Sequence, residues 1–261
     1  MTTELNSLVA PLRGGLSIPL LGFGTWQLEG DDAYNGTRTA LATGYRHIDT
    51  ATGYSNEDLV GAALRDSGTD RSEVFITTKC PPERAGQEIR TLDERLKALG
   101  VDNVDLWLVH WPPNGQARPA TWRQFIAARD SGKARAIGVS NYSIAQIDEL
   151  IEATGQSPEV NQIPWSPFLY DPATVAAHHQ RGVVLEGYSP LRQSDLGHAV
   201  LVELSQAYGR TPAQVVLRWH LQHGFVVIPK SARPERIQEN FDLGGFELSD
   251  QDVARLDALA A

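Results

Sequence analysis

The chain has 261 residues, 41% of them hydrophobic and 21% charged, a globular composition with length enough for one substantial core. Its 32 acidic residues outnumber 23 basic ones, for a formal net charge of −9, which opposes any general affinity for nucleic acid or an anionic membrane. An anionic ligand would need a local cluster of cations. The start, MTTELNSLVAPLRGG, lacks the basic opening and the apolar run of roughly 7–15 residues of a signal peptide, and no stretch approaches the ~18 apolar residues of a bilayer span, so a cytoplasmic location is expected. The single cysteine, Cys80, can form no internal disulfide and has no neighbouring Cys/His set; it reads as a packing residue, and no metal is expected.

In chain order, Leu8–Pro19 with Gly14-Gly15 at its centre predicts a β-hairpin, placed to plug the N-terminal end of a barrel. Short apolar runs then predict strands at Leu20–Phe23, Arg46–Asp49, Val74–Thr78, Val104–Val109, Ala134–Val139, Glu159–Gln162, Val183–Gly187 and Val226–Ile228. Between them, helical periodicity covers Asp32–Thr43, Asn56–Ser67, Arg84–Leu99, Pro119–Ser131, Ser143–Ala153, Pro172–Arg181 and Thr211–His223, several opened by Asp, Ser or Thr. Such alternation means parallel strands joined by crossover helices. Eight such units in about 260 residues match a closed (β/α)8 TIM barrel. The rival, an open doubly wound sheet, would show a three-glycine fingerprint after the first strand. Gly22-Phe23-Gly24-Thr25-Trp26 supplies two glycines and no third, and reads as a tight turn. With no linker or low-complexity segment, the expectation is one domain over residues 1–261: hairpin 8–19, barrel 20–247, and a C-terminal helix 248–261.

Chemistry in such barrels sits at the C-terminal ends of the strands. Those ends are polar here. Strand two ends in Asp49 with Tyr54 five residues on, strand three in Lys79, strand four in His110, strand five in Ser140-Asn141, strand six in Gln162, strand seven in Tyr188-Ser189 and strand eight in Lys230-Ser231. Each alone has a bland reading, as a cap, a solvated strand end or a core histidine. A carboxylate, a phenol, an ammonium and an imidazole on one rim suit proton transfer to a developing alkoxide. A phenol of pKa about 10 needs a nearby ammonium to favour its phenolate, which gives Lys79 a role, and Asp49 fixes the lysine. The imidazole of His110 can polarise a carbonyl oxygen. Hydride must then come from a cofactor, since side chains carry none. Ser140, Asn141 and Gln162 offer donors and acceptors for a carboxamide, and Tyr188 a flat face for a ring. Lys230, Arg233 and Arg236, beside Ser231 and a helix start, form the cation cluster that a phosphate needs.

These residues resemble the aldo-keto reductase superfamily over Leu8 to Leu259, in a bacterial-type form with a short C-terminus. Gly44-Tyr45-Arg46-His47-Ile48-Asp49-Thr50-Ala51, followed by Tyr54, Glu57 and Gly61, looks like one family signature. Ile228-Pro229-Lys230-Ser231, then Arg236, Glu239 and Asn240, looks like the other. Supporting runs are Gly22-Phe23-Gly24-Thr25-Trp26, Leu108-Val109-His110-Trp111-Pro112, Ile137-Gly138-Val139-Ser140-Asn141 and Tyr188-Ser189-Pro190-Leu191.

The resemblance implies a catalytic tetrad of Asp49, Tyr54, Lys79 and His110, with Tyr54 the acid in carbonyl reduction and the base in reverse. It implies a carboxamide site at Ser140, Asn141 and Gln162, with Tyr188 stacked on the nicotinamide. Gly24, Thr25, Trp26, Ser189 and Leu191 would lie along the cofactor, Lys230, Ser231 and Arg236 at a 2′-phosphate, with Arg233 a further candidate, and Glu239 and Asn240 at the adenine. NADPH (NADP+) is the implied cofactor. A small aldehyde or ketone is the implied substrate, walled by Trp26, Tyr54, His110 and Trp111. A monomer without nucleic-acid or membrane partners is implied as well.

Two departures stand out. Ser55 occupies the family's usual glycine position after the tyrosine. The last helix, introduced by Leu248-Ser249-Asp250, runs to Ala261, where many relatives continue into a substrate-covering loop, and the segment after His110 is short; an open pocket with a broad carbonyl range is expected. Two other functions remain in view. A cofactor-sensing module without turnover would keep the nicotinamide site, though the complete tetrad argues against it. A metal-dependent barrel hydrolase would need histidines at strand ends, and of seven only His47 and His110 lie near strands two and four, with His178-His179 in a helix.

Overall fold

A computed structural model describes residues 5–260. The first four residues of the N-terminal segment, and Ala261, where the last helix was expected to end, lie outside the described residues. The hairpin is present: β1 (Val9–Pro11) pairs antiparallel with β2 (Ser17–Pro19) across a 3-10 turn at Arg13–Gly15. Its inward residues Ala10, Leu12 and Ile18 join the main apolar cluster. Its tip docks at the start of a later strand, where the Arg13 amide donates to Glu159 Oε2 at 2.9 Å. That places it at the N-terminal end of the sheet, away from the strand ends that carry chemistry.

Eight parallel strands come next: β3 (Phe23–Gly24), β4 (His47–Asp49), β5 (Phe75–Cys80), β6 (Val104–Val109), β7 (Ala134–Ser140), β8 (Val160–Pro164), β9 (Val184–Tyr188) and β10 (Val226–Val227). Each pairs with its successor in sequence. The sheet then closes on itself. Leu21 bridges Val227 in parallel, the Val227 amide donates to Leu20 O at 2.7 Å and the Gly24 amide to Pro229 O at 3.1 Å. The fold is therefore the (β/α)8 barrel with an N-terminal hairpin, as the alternating pattern predicts.

The two glycines after strand one act differently from the tight turn expected of them. Neither has a positive φ. They permit close approach: a Cβ on Gly22 would stand 2.6 Å from His47 Nδ1 and 2.8 Å from Ile228 Cγ2, and one on Gly24 2.9 Å from the Ile228 carbonyl oxygen. Closure of the barrel at its short first and last strands requires that missing atom.

The outer helices are α1 (Asp31–Thr43), α2 (Glu57–Asp66), α3 (Glu88–Leu99), α4 (Pro119–Asp130), α5 (Ile144–Thr154), α6 (Pro172–Gln180), α7 (Ala199–Tyr208), α8 (Pro212–Gln222), α9 (Pro234–Phe241) and α10 (Asp250–Asp257). Capping boxes open α5 (Ser143, Gln146) and α8 (Thr211, Gln214), satisfying amides that would otherwise lack partners. Outward strand residues lock the helices on. Trp107 of β6 stacks on Phe125 of α4 at 3.7 Å between centroids. Helix α7 escapes the sequence reading because His198, rather than Ser, Thr, Asp or Asn, precedes it.

Gly61 of the first signature is explained by packing. A Cβ there would lie 2.3 Å from the Leu99 carbonyl oxygen at the end of α3, and backbone cannot rotate aside as a side chain can. Gly61→Ala is expected to lower unfolding stability by about 2–4 kcal/mol through forced separation of α2 and α3. Urea titration of the two proteins measures this, and an unchanged midpoint would refute the contact.

Candidate active site

The C-terminal rim gathers the expected residues around a cavity of ≈ 460 Å³. Alternation along β4 and β5 turns Asp49 and Lys79 into the barrel, where both are buried. Lys79 Nζ lies 2.6 Å from Asp49 Oδ1, 3.0 Å from Thr50 O and 3.4 Å from Tyr54 Oη. Tyr54 is presented by a 3-10 turn, Thr52–Tyr54. Ser55 closes that turn at φ 56, a left-handed conformation that a glycine adopts with less strain. Asn56 anchors the loop behind it: its Nδ2 donates to Thr25 O and Leu28 O, each at 2.9 Å, and its Oδ1 accepts from Thr50 at 3.0 Å. His110, just past β6, meets the Tyr54 ring edge-on at 5.7 Å.

Burial sets the protonation states. Burial pushes the Asp49 carboxyl up, opposed by the Lys79 ammonium and the Gln162 amide, which donates to Asp49 Oδ2 at 2.9 Å. Burial disfavours the Lys79 ammonium, yet Asp49, then Tyr54 and Glu186, hold its pKa above the ordinary lysine value. At 2.6 Å the two form an ion pair. Tyr54 departs from expectation. Lys79 does pull its hydroxyl down, as foreseen, but burial is the larger effect and the net shift is upward, so the phenol is a proton-bearing acid throughout the neutral range. His110 is pushed down to about 3 by burial and then by Lys79, which leaves a neutral imidazole with one N–H to give.

The remaining candidates divide. Ser140, Asn141, Gln162, Tyr188, Ser189, Gly24, Trp26 and Lys230 line the cavity with Asp49, Tyr54 and His110 of the expected tetrad. Asn141 Nδ2 donates to His110 O at 3.1 Å and to Ser140 Oγ at 2.9 Å, while Tyr188 donates to Asn141 Oδ1 at 2.8 Å. Asn141 and Ser189 have φ values of 64 and 52, a strained backbone of the kind that collects at ligand sites. Lys230, Arg233 and Arg236 are exposed beside the N-terminus of α9, and no carboxylate lies within ion-pair distance of any of them among the described residues. Ser231 is buried next to them and accepts from the Arg233 amide at 3.0 Å.

Four further candidates do not line the cavity. Thr25 is buried, and its hydroxyl donates to Asp49 O at 3.0 Å. Leu191 packs against both apolar clusters. Glu239 accepts from Thr211 at 2.7 Å, and Asn240 is buried on the same helix. The residues expected to wall a substrate, Trp26, Tyr54, His110 and Trp111, all line the cavity, with Trp26 and Trp111 exposed by 41% and 49% at its mouth. Arg192 and Gln193 also line the cavity and were missed, because the loop after β9 carries no periodic signal. Glu186 was missed too. It stands two residues before Tyr188 on β9, so strand alternation could have pointed it inward.

A closed barrel whose mouth holds a buried lysine between a carboxylate and a phenol defines an acid–base enzyme of the (β/α)8 class. Comparison with known proteins makes this specific. Residues 20–261 match the model of the aldo/keto reductase family, and the chain belongs to that family: it is an oxidoreductase acting on carbonyl groups. It is 42% identical to an aldo-keto reductase of Mycobacterium sp. (strain JLS), over 98% of this chain and 94% of that one. It is 39% identical to a methylglyoxal reductase of Escherichia coli, over 97% and 94%. The crystal structure of a Gox0644 mutant in complex with NADPH superimposes with a TM-score of 0.91 at 34% identity, over 96% of this chain and 93% of that one. Among the described residues, no helix is long and apolar enough to cross a membrane.

The depressed pKa of His110 has a direct check. In the free enzyme its ring is expected to stay neutral from about pH 8 down to about pH 4, against an ordinary midpoint near 6.5. Nitrogen chemical shifts of the imidazole, assigned with His110→Gln, report this. A midpoint near 6.5 would show that the ring is more solvated than its position in the cavity wall implies.

Proposed function

We propose that the chain reduces small aldehydes and ketones to alcohols with NADPH, using Tyr54 as the proton donor, and oxidises alcohols with Tyr54 as the base. The observation that carries this reading is the buried Lys79 ammonium, in contact with the Asp49 carboxylate at 2.6 Å and the Tyr54 hydroxyl at 3.4 Å, behind a cavity that Asp49 and Tyr54 line. A bound nicotinamide supplies the hydride that side chains cannot. The protein's own part is the proton. Tyr54 Oη passes its hydrogen to the carbonyl oxygen as charge builds there, and Lys79 stabilises the phenolate left behind. Asp49 keeps Lys79 in place and charged. The neutral His110 donates an N–H to the same carbonyl oxygen, orienting it without competing for the proton.

The residues present fit a phosphorylated dinucleotide. Ser140, Asn141 and Gln162 supply donors and acceptors for the carboxamide, and Tyr188 lies beside them for the ring. Lys230, Ser231, Arg233 and Arg236 at the start of α9 combine charge with a helix dipole, which favours a 2′-phosphate and hence NADPH over NADH. The NADPH complex of the similar Gox0644 structure supports that choice. Similarity to a methylglyoxal reductase supports a small carbonyl substrate. The exposed Trp26 and Trp111 form an apolar frame open to solvent, which favours a broad range.

Tyr54→Phe removes the proton without removing the ring. It is expected to lower kcat about 10²- to 10⁴-fold, with NADPH binding, followed by fluorescence, changed less than about threefold. A fully active variant would overturn the mechanism. Arg236→Ala is expected to weaken NADPH binding about tenfold and NADH binding hardly at all. Equal losses for both cofactors in calorimetric titrations would place the 2′-phosphate elsewhere.

A further inference from the structure

The inward face of the barrel continues below the ion pair. Residues two apart on a strand share a face, so His47 lies beneath Asp49 on β4, Thr77 beneath Lys79 on β5, and Glu186 beneath Tyr188 on β9. His47 and Glu186 are both fully buried. His47 Nε2 stands 3.0 Å from Thr77 Oγ1 and 4.0 Å from Glu186 Oε1. Among the described residues, no group meets hydrogen-bond geometry with either Glu186 oxygen or with His47 Nδ1, although the Gln162 amide stands near the first and the Pro19 backbone near His47. The parallel register sets Glu186 beside Gln162, whose amide is already given to Asp49.

A dry carboxylate with no well-placed donor is costly, and a second negative charge next to Asp49 adds to that cost. Burial first, and then Asp49, push the Glu186 carboxyl up to about 8, while Lys79, and to a lesser extent the neighbouring Gln162 amide, pull it back only in part. Burial holds His47 down to about 3. Both groups are therefore uncharged near neutrality.

We propose that Glu186 is a positioning residue for proton transfer at Tyr54: neutral, it leaves the Asp49–Lys79 pair balanced, and ionised, it disfavours the Tyr54 phenolate and so restrains Tyr54 as a base in alcohol oxidation. The inference rests on the acid–base role given to Tyr54 above. The groups facing Glu186 are few. His47 and Asp49 approach from β4 and Lys79 from β5, with Tyr54 above; on its flanks stand the uncharged Gln162 of β8 and Val226 of β10. Of these, Asp49 and Lys79 are fixed as an ion pair and His47 is neutral, so Glu186 is the member that changes charge at mildly alkaline pH. Its negative charge acts on Tyr54 in the same direction as that of Asp49, against phenolate formation. Glu57, buried behind the site and pushed up to about 7, also titrates, but it is common to wild type and variant and cancels in their ratio.

The test compares alcohol oxidation with NADP+ in wild type and Glu186→Gln across pH. The ratio of kcat, variant over wild type, is expected to climb about three- to tenfold between about pH 6.5 and about pH 9.5, because only the wild type acquires the extra charge. A purely structural role would give a ratio independent of pH, and that result overturns the proposal. A second readout is stability. The folded-state pKa of Glu186 lies above its ordinary value of 4.5, so wild-type stability falls as pH rises between the two. The Tm advantage of the variant is therefore expected to grow from about pH 5 to about pH 8, and a constant difference would also overturn the idea. If Glu186→Gln fails to fold, Glu186→Met is expected to give the same pH-dependent rise. Tyr54→Phe, run alongside, separates the failures. An active Tyr54→Phe removes the acid–base reading itself, whereas an inactive one with a flat Glu186 ratio removes only this inference.

Discussion

The contact between Lys79 and Asp49, 2.6 Å apart and out of reach of solvent, is the interaction on which the site depends. A buried ion pair contributes little net stability, since desolvation offsets attraction, but removing either partner leaves the other stranded. What it provides is direction. The ammonium is held to the carboxylate, so its third contact, to Tyr54, is kept at one place at the barrel mouth. The pair also explains why the tyrosine stays an acid: the lysine stabilises the phenolate, but its charge is largely neutralised by Asp49, and burial then raises the phenol above its ordinary value.

The barrel serves that pair by rigidity. Asp49 and Lys79 come from adjacent strands joined in register, His47 to Phe75 through Asp49 to Thr77, and neither can shift without disturbing the ladder. Closure is completed by two-residue strands at the seam, where glycines let β3 and the segment after β10 meet. The polar layer beneath, His47, Thr77 and Glu186, means that this interior is less like an oil drop than the usual barrel core of branched aliphatics. Its groups influence one another through a medium of low dielectric, which is why a carboxyl one layer down can act on Tyr54.

The acidic net charge and the cation cluster at α9 belong together. A chain of charge −9 repels a polyanionic dinucleotide at long range, so affinity must come from close, unpaired cations. Among the described residues, Lys230, Arg233 and Arg236 have no carboxylate within ion-pair distance, as the proposed NADPH site requires. Their freedom from carboxylates sets them apart from Arg71 and Arg135, both paired with Asp105 at the opposite end of the strands.

Residue order alone makes the architecture legible, together with the set of side chains that reach the C-terminal rim. Eight apolar runs alternating with amphipathic segments specify parallel strands and outer helices, because period two and period 3.6 each bury one face only. Strand ends then place Asp49, Lys79, His110, Ser140 and Lys230 on one rim without any coordinates. Tertiary structure decided what depends on distances between strands remote in sequence. It turned Gly22 and Gly24 from a turn into a seam, put Glu239 against Thr211, and gave Gln162 to Asp49, 113 positions away. It also reversed the expected acidity of Tyr54 and left Glu186 a buried acid with no well-placed donor. Burial and pairing are properties of the assembled interior, and residue identity specifies which groups are present but not how dry they become.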